Sequence, residues 1–441
     1  MSRLACLPLL ALFACASTPR AATTPLPTTA PLASTDAYAG RLAVRRWGRD
    51  GAPPLVLVHG LGENASRDFA AVGPALGRTH SVHALDLPGF GESEAAGHSF
   101  HPGDYAALVA TYVEREIGRP VALVGHSMGG AVAALVAGEH PEVVERLVLV
   151  DVAGVLHREA WVGSLAIEPV RAGGGAIPAG MMDTSLALVG AIEPDLAQVV
   201  ARPALRGALL GDEPGTVAAV SLITTDLGPA LAAIRAPTLL LWGARDRVAP
   251  LRTLAVLESR IAGARRVVLD DVGHVPMSEA PEAFVDAVRA HLAGVTPAAA
   301  AAPGAARDFT CTDRDDPVAL TGRYRRVVLD GCTKVTLTEA RVESLVVRNS
   351  VVSLERVVVQ SAETALVAED SEVRMTGGAL RGAVAVQARH ARFDFAGVRV
   401  EGTRDAFVID DEPSRALFSV CPIQSGDHLV HAHGPVVLAA E

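Results

Sequence analysis

The stretch VALVGHSMGGAVAALVAG, residues 121–138, places one serine between an apolar run and an alanine-rich segment. Gly125, Ser127 and Gly129 have the spacing G-x-S-x-G. Where a strand turns abruptly into a helix, the residue at the turn is strained, and its neighbours must be small to let the chain pass. The turn lifts the hydroxyl above the sheet edge and aims the next helix N-terminus toward it. We therefore predict that Ser127 is a nucleophile, the alternative being a tight turn with a buried serine.

A serine hydroxyl needs a base, and the chain supplies a histidine and a carboxylate. Asp246 follows the apolar run TLLLWGA, and His274 follows the run RRVVLDD. Because both come after runs of strand type, we expect them on loops at the same sheet edge as Ser127. A histidine deprotonates a serine when a carboxylate holds the imidazole in the right tautomer. The chain therefore predicts Ser127, His274 and Asp246 as a catalytic triad, with Asp151, which follows RLVLV, as the alternative acid.

The reaction of such a serine also needs donors for the negative charge that develops on the attacked oxygen. Losing one donor costs about 3 to 4 kcal/mol of transition-state stabilisation in known enzymes. His59 and Gly60 follow the apolar run PLVLV, where the first loop approaches the nucleophile. We predict that the backbone N–H groups of Leu61 and Met128 form this oxyanion hole.

Short apolar runs alternate with helical segments from about residue 41 to residue 294, and these elements must position the three side chains. The runs are PLVLVHG, SVHALDL, VALVGHS, RLVLVDV, TLLLWGA and RRVVLDD. Near-continuous apolar runs are expected of strands buried on both faces. Strands that alternate with helices indicate a mostly parallel sheet covered on both sides, an α/β fold. Residues 155–230 contain no clear strand pattern, and we expect them to form a helical cap over the sheet edge.

Several motifs within residues 41–294 together resemble those of the α/β-hydrolase superfamily. They are HGLG, DLPGFGES, GHSMGG, GARD and GHVPMSEAPEAF, and the order Ser, Asp, His is the one expected of that fold. The resemblance implies a hydrolase domain over residues 37–294 with an inserted cap. A serine at position 127 argues against the dehalogenase and epoxide hydrolase branches, whose nucleophile is aspartate.

These motifs are specific for the fold and the triad but not for the substrate, and we predict a small-molecule carboxylic ester, cleaved through an acyl-enzyme without a cofactor or a metal ion. The cap has few charges and contains Trp161, Met181 and Met182, which favours an apolar acyl group. Packing within the cap explains the same three residues equally well. Hydrolysis of C–C bonds and cofactor-free haloperoxidase chemistry are the alternatives, because the family members that perform them share this triad.

The first fifteen residues, MSRLACLPLLALFAC, have one positive charge and an apolar segment too short to span a bilayer. They resemble a bacterial lipoprotein signal, which implies that Cys15 is lipidated and becomes the new N-terminus. Ala16 favours the outer membrane within that resemblance. Residues 16–36 are rich in Pro, Thr and Ala and predict a disordered tether. Ordinary signal cleavage, or an apolar N-terminus without a targeting role, are the alternatives to a lipid-anchored envelope protein.

Residues 295–308 have the Ala- and Pro-rich composition of a linker, and a second domain follows over residues 309–441. This region has a weak repeat of about twenty residues, in which a short apolar strand, a polar turn and an alternating strand recur. Equivalent positions, spaced by 21, 19 and 22 residues, are Leu345, Leu366, Ala385 and Phe407. Repeats of this length stack into a solenoid. The region resembles a right-handed parallel β-helix, and an antiparallel β-sandwich is the alternative.

Three cysteines remain after the signal region, and an oxidising compartment favours one disulfide among them. Cys311 and Cys332 are about one repeat apart, which could bring them together on adjacent coils. This pairing would tie down the first coil, and Cys421 would then keep a free thiol.

Charge and ligand patterns limit the partners of the chain. The net charge of −10 and the lack of a basic cluster argue against nucleic acid as a partner. His431 and His433 near Asp427 are interpreted as polar surface rather than as a zinc site. We expect the C-terminal domain to bind an envelope polymer or a protein partner, or to act as a spacer. A non-enzymatic envelope binding protein is the alternative for the whole chain.

Overall fold

The computed structural model describes residues 28–31, 38, 40–95, 98–161, 202, 213–294 and 305–440. The predicted signal with Cys15, and most of the predicted cap with Met181 and Met182, lie outside the described residues. The described residues divide into two compact units. The first unit holds residues 28–31 and most of residues 38–294, and the second holds residues 305–440 with two short segments, 155–161 and 255–260. Within the described ranges, none of the helices combines the length and apolar character that a membrane span requires.

The first unit is built on an eight-stranded sheet. Its strands are β1 (Thr28–Pro31), β2 (Arg41–Trp47), β3 (Pro54–Val58), β4 (Ser81–Leu85), β5 (Val121–His126), β6 (Val144–Val150), β7 (Thr238–Gly243) and β8 (Arg265–Leu269). Their order in the sheet is β1-β2-β4-β3-β5-β6-β7-β8. β2 pairs antiparallel with β1 and β4, and every pairing from β4 to β8 is parallel. The carboxyl ends of the parallel strands therefore meet at one edge, as the α/β prediction requires.

Helices alternate with these strands along the chain. The α-helices are α1 (Gly73–Leu76), α2 (Pro102–Tyr112), α3 (Met128–Glu139), α4 (Pro214–Ile223), α5 (Gly228–Ala233), α6 (Leu251–Arg260), α7 (Pro276–Glu279) and α8 (Pro281–Leu292). Short 3-10 helices occupy Ala65–Phe69 and Pro141–Val143, and a π-helical turn, Val113–Ile117, extends α2. Four of the α-helices begin with proline, whose fixed φ and missing N–H fit the first helical position.

The core of the first unit lies around the central strands. Every residue of β3, β5 and β7 is buried, so the near-continuous apolar runs there mark strands covered on both faces. The run RRVVLDD was expected to be buried in the same way, and that expectation is wrong. It forms β8 at the edge of the sheet, where exposed and half-buried residues alternate and Val268 is 38% exposed.

The second unit consists mostly of β-strands. They are β9 (Arg307–Arg314), β10 (Val318–Cys332), β11 (Val335–Arg348), β12 (Val351–Gln360), β13 (Thr364–Glu369), β14 (Glu372–Arg389), β15 (Arg392–Ala396), β16 (Arg399–Ile409), β17 (Ser414–Ser425) and β18 (His428–Leu438). All pairings from β9 to β17 are parallel. Only β18, which pairs with β17, is antiparallel. Parallel pairing of this kind fits stacked repeats better than an antiparallel sandwich.

The strand register tests the equivalent positions taken from the repeat. Leu345 pairs with Leu366 as predicted. Leu366 pairs with Val386 rather than with Ala385, and Val386 then pairs with Phe407. The third repeat is therefore aligned one residue later than the sequence pattern suggests, although Ala385 and Val386 are both buried.

The cysteines of the second unit lie on neighbouring strands or in the core. The sulfur atoms of Cys311 on β9 and Cys332 on β10 are 2.06 Å apart and form a disulfide, which is the pairing that the repeat spacing predicts. Cys421 is free and buried, and its thiol donates to the carbonyl oxygens of Phe395 and Ser419. Burial raises the pKa of the Cys421 thiol to about 12, so this group is not a reactive thiolate at neutral pH.

Candidate active site

Ser127 occupies the turn between β5 and α3. Its φ of 53° and ψ of −117° lie in a region that L-residues other than glycine rarely adopt. The turn is fixed by backbone hydrogen bonds, since Ser127 N–H donates to Val150 O at 2.9 Å and Ser127 O accepts from Gly130 N–H at 3.0 Å. The sequence thus places the serine side chain at the carboxyl end of a central strand and at the start of a helix.

The glycines beside Ser127 are needed because other backbone lies against them. A Cβ on Gly125 would lie 2.1 Å from the carbonyl oxygen of Gly129. A Cβ on Gly129 would lie 2.3 Å from the carbonyl oxygens of Val58 and His59, at the end of β3. Both distances are far below contact, so the G-x-S-x-G spacing reflects the close approach of α3 to two strands.

His274 links Ser127 to a carboxylate. Its Nε2 is 3.0 Å from Ser127 Oγ, and its Nδ1 is 2.8 Å from Asp246 Oδ2. A carboxylate only accepts, so Nδ1 carries the hydrogen and Nε2 is free to accept from the hydroxyl. The other oxygen of Asp246 accepts from Val248 N–H at 2.7 Å and Ala249 N–H at 3.0 Å. The structure therefore brings the three predicted residues together in one hydrogen-bonded chain.

The alternative acid, Asp151, has a different partner. It follows β6, and its Oδ1 accepts from the backbone N–H of Gly243 at the end of β7. The hydrogen bond to His274 Nδ1 is made by Asp246. Of the two acids that the sequence offers, the geometry favours Asp246 as the partner of the imidazole.

His126 is part of the site, although the sequence pattern did not single it out. Its Nε2 lies 2.7 Å from the carbonyl oxygen of His274, and the two rings are 5.0 Å apart between centroids. Because a carbonyl oxygen only accepts, Nε2 carries the hydrogen and Nδ1 is an acceptor. Burial, and then the charge of His274, lower the pKa of His126 to about 3. A neutral histidine therefore holds the His274 loop, and its place directly before the nucleophile was the signal available.

The loop after β3 approaches the nucleophile closely. Both ring nitrogens of His59 are occupied, since Nδ1 donates to Gly60 O at 2.6 Å and Nε2 accepts from Leu87 N–H at 2.9 Å. A Cβ on Gly60 would lie 2.9 Å from Ser127 Cβ. Leu61 follows in this loop and Met128 is the first residue of α3. Both predicted oxyanion donors therefore belong to segments beside Ser127, and their role stays a prediction.

Asp68 is a further carboxyl group near the site that the sequence analysis did not identify. It lies on the 3-10 helix Ala65–Phe69, half-buried, and its Oδ1 accepts from Asn64 Nδ2 at 3.1 Å. Burial raises the pKa of Asp68, whereas the hydrogen bond from Asn64 and the charges of His59 and His274 lower it. Nothing in the spacing of HGLGENASRDF marks this position, because its placement depends on the fold.

The chain matches a model of the alpha/beta hydrolase family over residues 55–287, more than half of its length. The chain belongs to the alpha/beta hydrolase family. Two similar proteins are described as pimeloyl-[acyl-carrier protein] methyl ester esterases. The one from Aeromonas hydrophila is 31% identical over 267 residues, 57% of this chain and 99% of that protein. The one from Neisseria meningitidis serogroup A is 31% identical over 261 residues, 56% of this chain and 78% of that protein.

Solved structures resemble this alpha/beta hydrolase over a similar share of the chain. A membrane phospholipase A, described as a bacterial virulence factor, is 30% identical with a TM-score of 0.45 and covers 61% of this chain and 86% of its own. A hydrolase from Pseudomonas aeruginosa is 28% identical with a TM-score of 0.44 and covers 60% of this chain and 98% of its own. The family assignment confirms the predicted α/β-hydrolase fold and identifies the chain as an enzyme of the hydrolase class.

Outside the triad region, one group of side chains in the described part of this hydrolase has the types that bind metal ions. Asp370, His390 and Glu412 of the second unit are exposed, with ligand atoms within 4.8 Å of one another. Asp370 already accepts from Arg389 Nη2 at 2.6 Å and lies 3.1 Å from His390 Nδ1. An arginine on the central carboxylate disfavours a cation there. His431 and His433, which the sequence analysis interprets as polar surface rather than as a zinc site, lie on β18.

Proposed function

We propose that the chain is a serine hydrolase that cleaves carboxylic esters through an acyl-enzyme. The observation that carries this proposal is the continuous hydrogen-bonded chain from Ser127 Oγ through His274 to Asp246. Its two distances fall within the range expected of a nucleophile and a base oriented by a third group. The esterase descriptions of relatives 31% identical over most of their own length support an ester as the substrate.

In the first half of the reaction, His274 Nε2 takes the proton from Ser127 Oγ as the oxygen attacks the ester carbonyl. Asp246 stabilises the imidazolium that forms. The backbone N–H groups of Leu61 and Met128 would hold the oxyanion, and Met128 also brings the positive end of the α3 dipole. Collapse of the tetrahedral intermediate transfers the proton from His274 to the leaving alkoxide, and the acyl group stays on Ser127.

In the second half, water hydrolyses the acyl-enzyme. His274 Nε2 takes a proton from the water as it attacks the acyl carbonyl, and the same oxyanion donors stabilise the new intermediate. The C–O bond to Ser127 then breaks, and the proton returns from His274 to Ser127 Oγ. The products are a carboxylic acid and an alcohol, and no cofactor is consumed.

The substitution Ser127→Ala tests this function. We expect the variant to lose hydrolysis of p-nitrophenyl esters and labelling by a fluorophosphonate probe, with an unchanged circular dichroism spectrum. Ser278→Ala is a matched control, because Ser278 is exposed on α7 next to the His274 loop. Equal turnover in the wild type and Ser127→Ala would reject the assignment. Esters of graded acyl length test the apolar acyl group, and assays of dienone cleavage and halide oxidation test the two alternative chemistries.

We also propose that the hydrolase is anchored by a lipid on Cys15 and faces the periplasm or the cell surface from the outer membrane. The support is the lipoprotein-type signal and the Pro- and Thr-rich segment after it. Cys15→Ser should move the protein from the membrane to the soluble fraction on cell fractionation, without changing its activity toward p-nitrophenyl esters. Membrane retention of this variant would contradict the anchor.

For the second unit we propose a right-handed parallel β-helix that binds an envelope polymer or protein, or acts as a rigid spacer. The unbroken series of parallel pairings from β9 to β17 supports stacked coils. The non-enzymatic alternative, in which this unit alone carries function, predicts that the wild-type protein is not labelled by a fluorophosphonate. Labelling at Ser127 would exclude it.

A further inference from the structure

Asp151 is a fully buried carboxyl group for which the proposed reaction has no role. It is 0% exposed, and its φ of 44° lies in the left-handed region. Its backbone N–H donates to Leu241 O at 3.2 Å, and its Oδ1 accepts from Gly243 N–H at 3.0 Å. These two bonds join the end of β6 to β7. The second oxygen, Oδ2, is buried and has no hydrogen-bond donor among the described residues.

Asp246 lies beside Asp151, because both are bonded to Gly243: the Gly243 N–H donates to Asp151 Oδ1 at 3.0 Å, and the Gly243 carbonyl oxygen accepts from Asp246 N–H at 3.2 Å. The two carboxyl groups therefore influence each other. Two ionised carboxylates can only accept, so they would leave Oδ2 unpaired and repel each other in a buried site. A single proton between them removes both problems. Asp246 accepts hydrogen bonds from Val248, Ala249 and His274, whereas Asp151 accepts one from Gly243. The proton therefore belongs on Asp151, which has fewer donors to stabilise an anion.

The electrostatic surroundings agree with this assignment. Burial raises the pKa of Asp151 well above its usual range, and the negative charge of Asp246 raises it further, while the bond from Gly243 opposes the shift. The other ionisable groups that act on the pair come from two segments. Glu279 on α7 adds a weaker negative influence on Asp151, and His126 at the end of β5 interacts with both Asp246 and His274.

We propose that Asp151 is a positioning residue that is protonated at neutral pH and donates a hydrogen bond from Oδ2 to the carboxylate of Asp246. Its effect on the reaction rests on the proposed triad, because it acts through Asp246. The neutral acid fixes the orientation of Asp246 without adding a second negative charge beside His274. A second negative charge beside His274 would favour the protonated imidazolium before the reaction begins. Protonated His274 cannot accept the proton of Ser127.

Asp151→Asn tests the protonation state through the pH profile of kcat/KM for a p-nitrophenyl ester. The amide can keep the acceptor for Gly243 and a donor for Asp246. We expect kcat/KM within about threefold of the wild type and an unmoved midpoint of the acid limb. If Asp151 were ionised in the wild type, this substitution would remove a negative charge and move that midpoint downward. A downward shift would overturn the proposal.

Asp151→Ala tests the hydrogen bond, because alanine has no donor for Asp246. We expect kcat to fall about tenfold relative to Asp151→Asn, with KM little changed. Equal kcat in the two variants, at equal fluorophosphonate labelling and circular dichroism, would show that the bond contributes nothing and would overturn the proposal.

Infrared spectroscopy of the full-length protein at pH 7 gives a readout that does not depend on activity. The wild type should have a band from a protonated carboxyl group that Asp151→Asn lacks and Ser127→Ala retains. The absence of any such difference between wild type and Asp151→Asn would overturn the proton assignment. This result is separate from a failure of the proposed function, which the turnover of Ser127→Ala alone decides.

Discussion

The two units of the protein bring residues together in different ways. In the first unit, Ser127 meets His274 from 147 residues away, and all the members of the triad follow the ends of parallel strands. In the second unit, each strand pairs with one that follows about one repeat later, as Leu345 does with Leu366. Long-range topology thus gathers unlike side chains at one sheet edge, whereas repetition stacks like positions on one another.

Backbone strain follows the same division. In the first unit, two residues with positive φ, Ser127 and Asp151, lie directly after parallel strands, and each is tied to its neighbours by particular hydrogen bonds. In the second unit, left-handed residues recur at successive turns, at Asn349, Asp370 and His390. The strain at Ser127 and Asp151 accompanies buried polar side chains at one sheet edge, and the strain that recurs with the repeat is part of the architecture.

Asp246→Asn tests the long-range assembly of the site in the first unit, and we expect it to cause the largest loss of activity among the following variants. An amide nitrogen in place of Oδ2 cannot accept from His274 Nδ1–H, so the imidazole would favour the wrong tautomer. We expect kcat for p-nitrophenyl esters to fall about 10⁴-fold, as for the same change in other triads. Asp270→Asn is the control, because Asp270 is an exposed carboxylate on the loop before His274. A modest loss in Asp246→Asn would mean that another group orients the imidazole.

Much of the site could be predicted from the sequence because its signals are local. The glycines of GHSMGG and the apolar run before them specify a strand, a turn and a helix, and the structure has all three at Ser127. Asp246 and His274 could be predicted because the ends of parallel strands share one edge. Asp68 could not, since its contacts depend on how close two loops approach in the folded chain, and for His126 the only signal was its place directly before the nucleophile.

The repeating strands of the second unit could be predicted from the sequence, but the residue-by-residue pairing of all its strands could not. The polar turns of the repeat, such as Asn349-Ser350 and Asp370-Ser371, mark where the chain bends, and both serines are buried there. The alignment of Ala385 was one residue early because Val384, Ala385 and Val386 are all buried within β14, so burial does not alternate there. The edge position of β8 was missed for a related reason: apolar composition does not reveal which strand lacks a neighbour.

Cys311→Ser tests whether the second unit can lose stability without affecting the site. The disulfide closes a loop of 21 residues. Chain-entropy arguments for a loop of that length predict a loss of about 3 kcal/mol in the free energy of unfolding of this unit. Hydrolysis of p-nitrophenyl esters should not change. Cys421→Ser is the comparison, because it replaces a buried thiol without breaking a covalent link. A matching loss of activity in Cys311→Ser would show that the site depends on the second unit.

Gly60→Ala tests the opposite case, a change confined to the site. The new Cβ would lie 2.9 Å from Ser127 Cβ and 3.2 Å from His126 Nδ1, so the loop or the nucleophile must move. A displacement on the order of 1 Å lowers turnover by about 10²-fold. Gly62→Ala in the same loop is the matched control, because its Cβ would meet only Asp68 Oδ2 at 3.7 Å. Similar kcat in both variants would argue against close packing of this loop on the nucleophile.

The smallest change in stability is expected on the surface of the second unit, where the charges at one stacked position alternate in sign from strand to strand. Asp330, Arg348, Glu369 and Arg389 pair in register on successive strands, so each charge has opposite neighbours. Glu369→Gln removes one half-buried partner, which pairs with Arg348, and should lower the free energy of unfolding by less than about 1 kcal/mol. Glu369→Lys should cost more, because it places three positive charges in a row. If urea unfolding finds both variants equally stable, the charges do not fix the stacking, and the buried valines and leucines alone determine it.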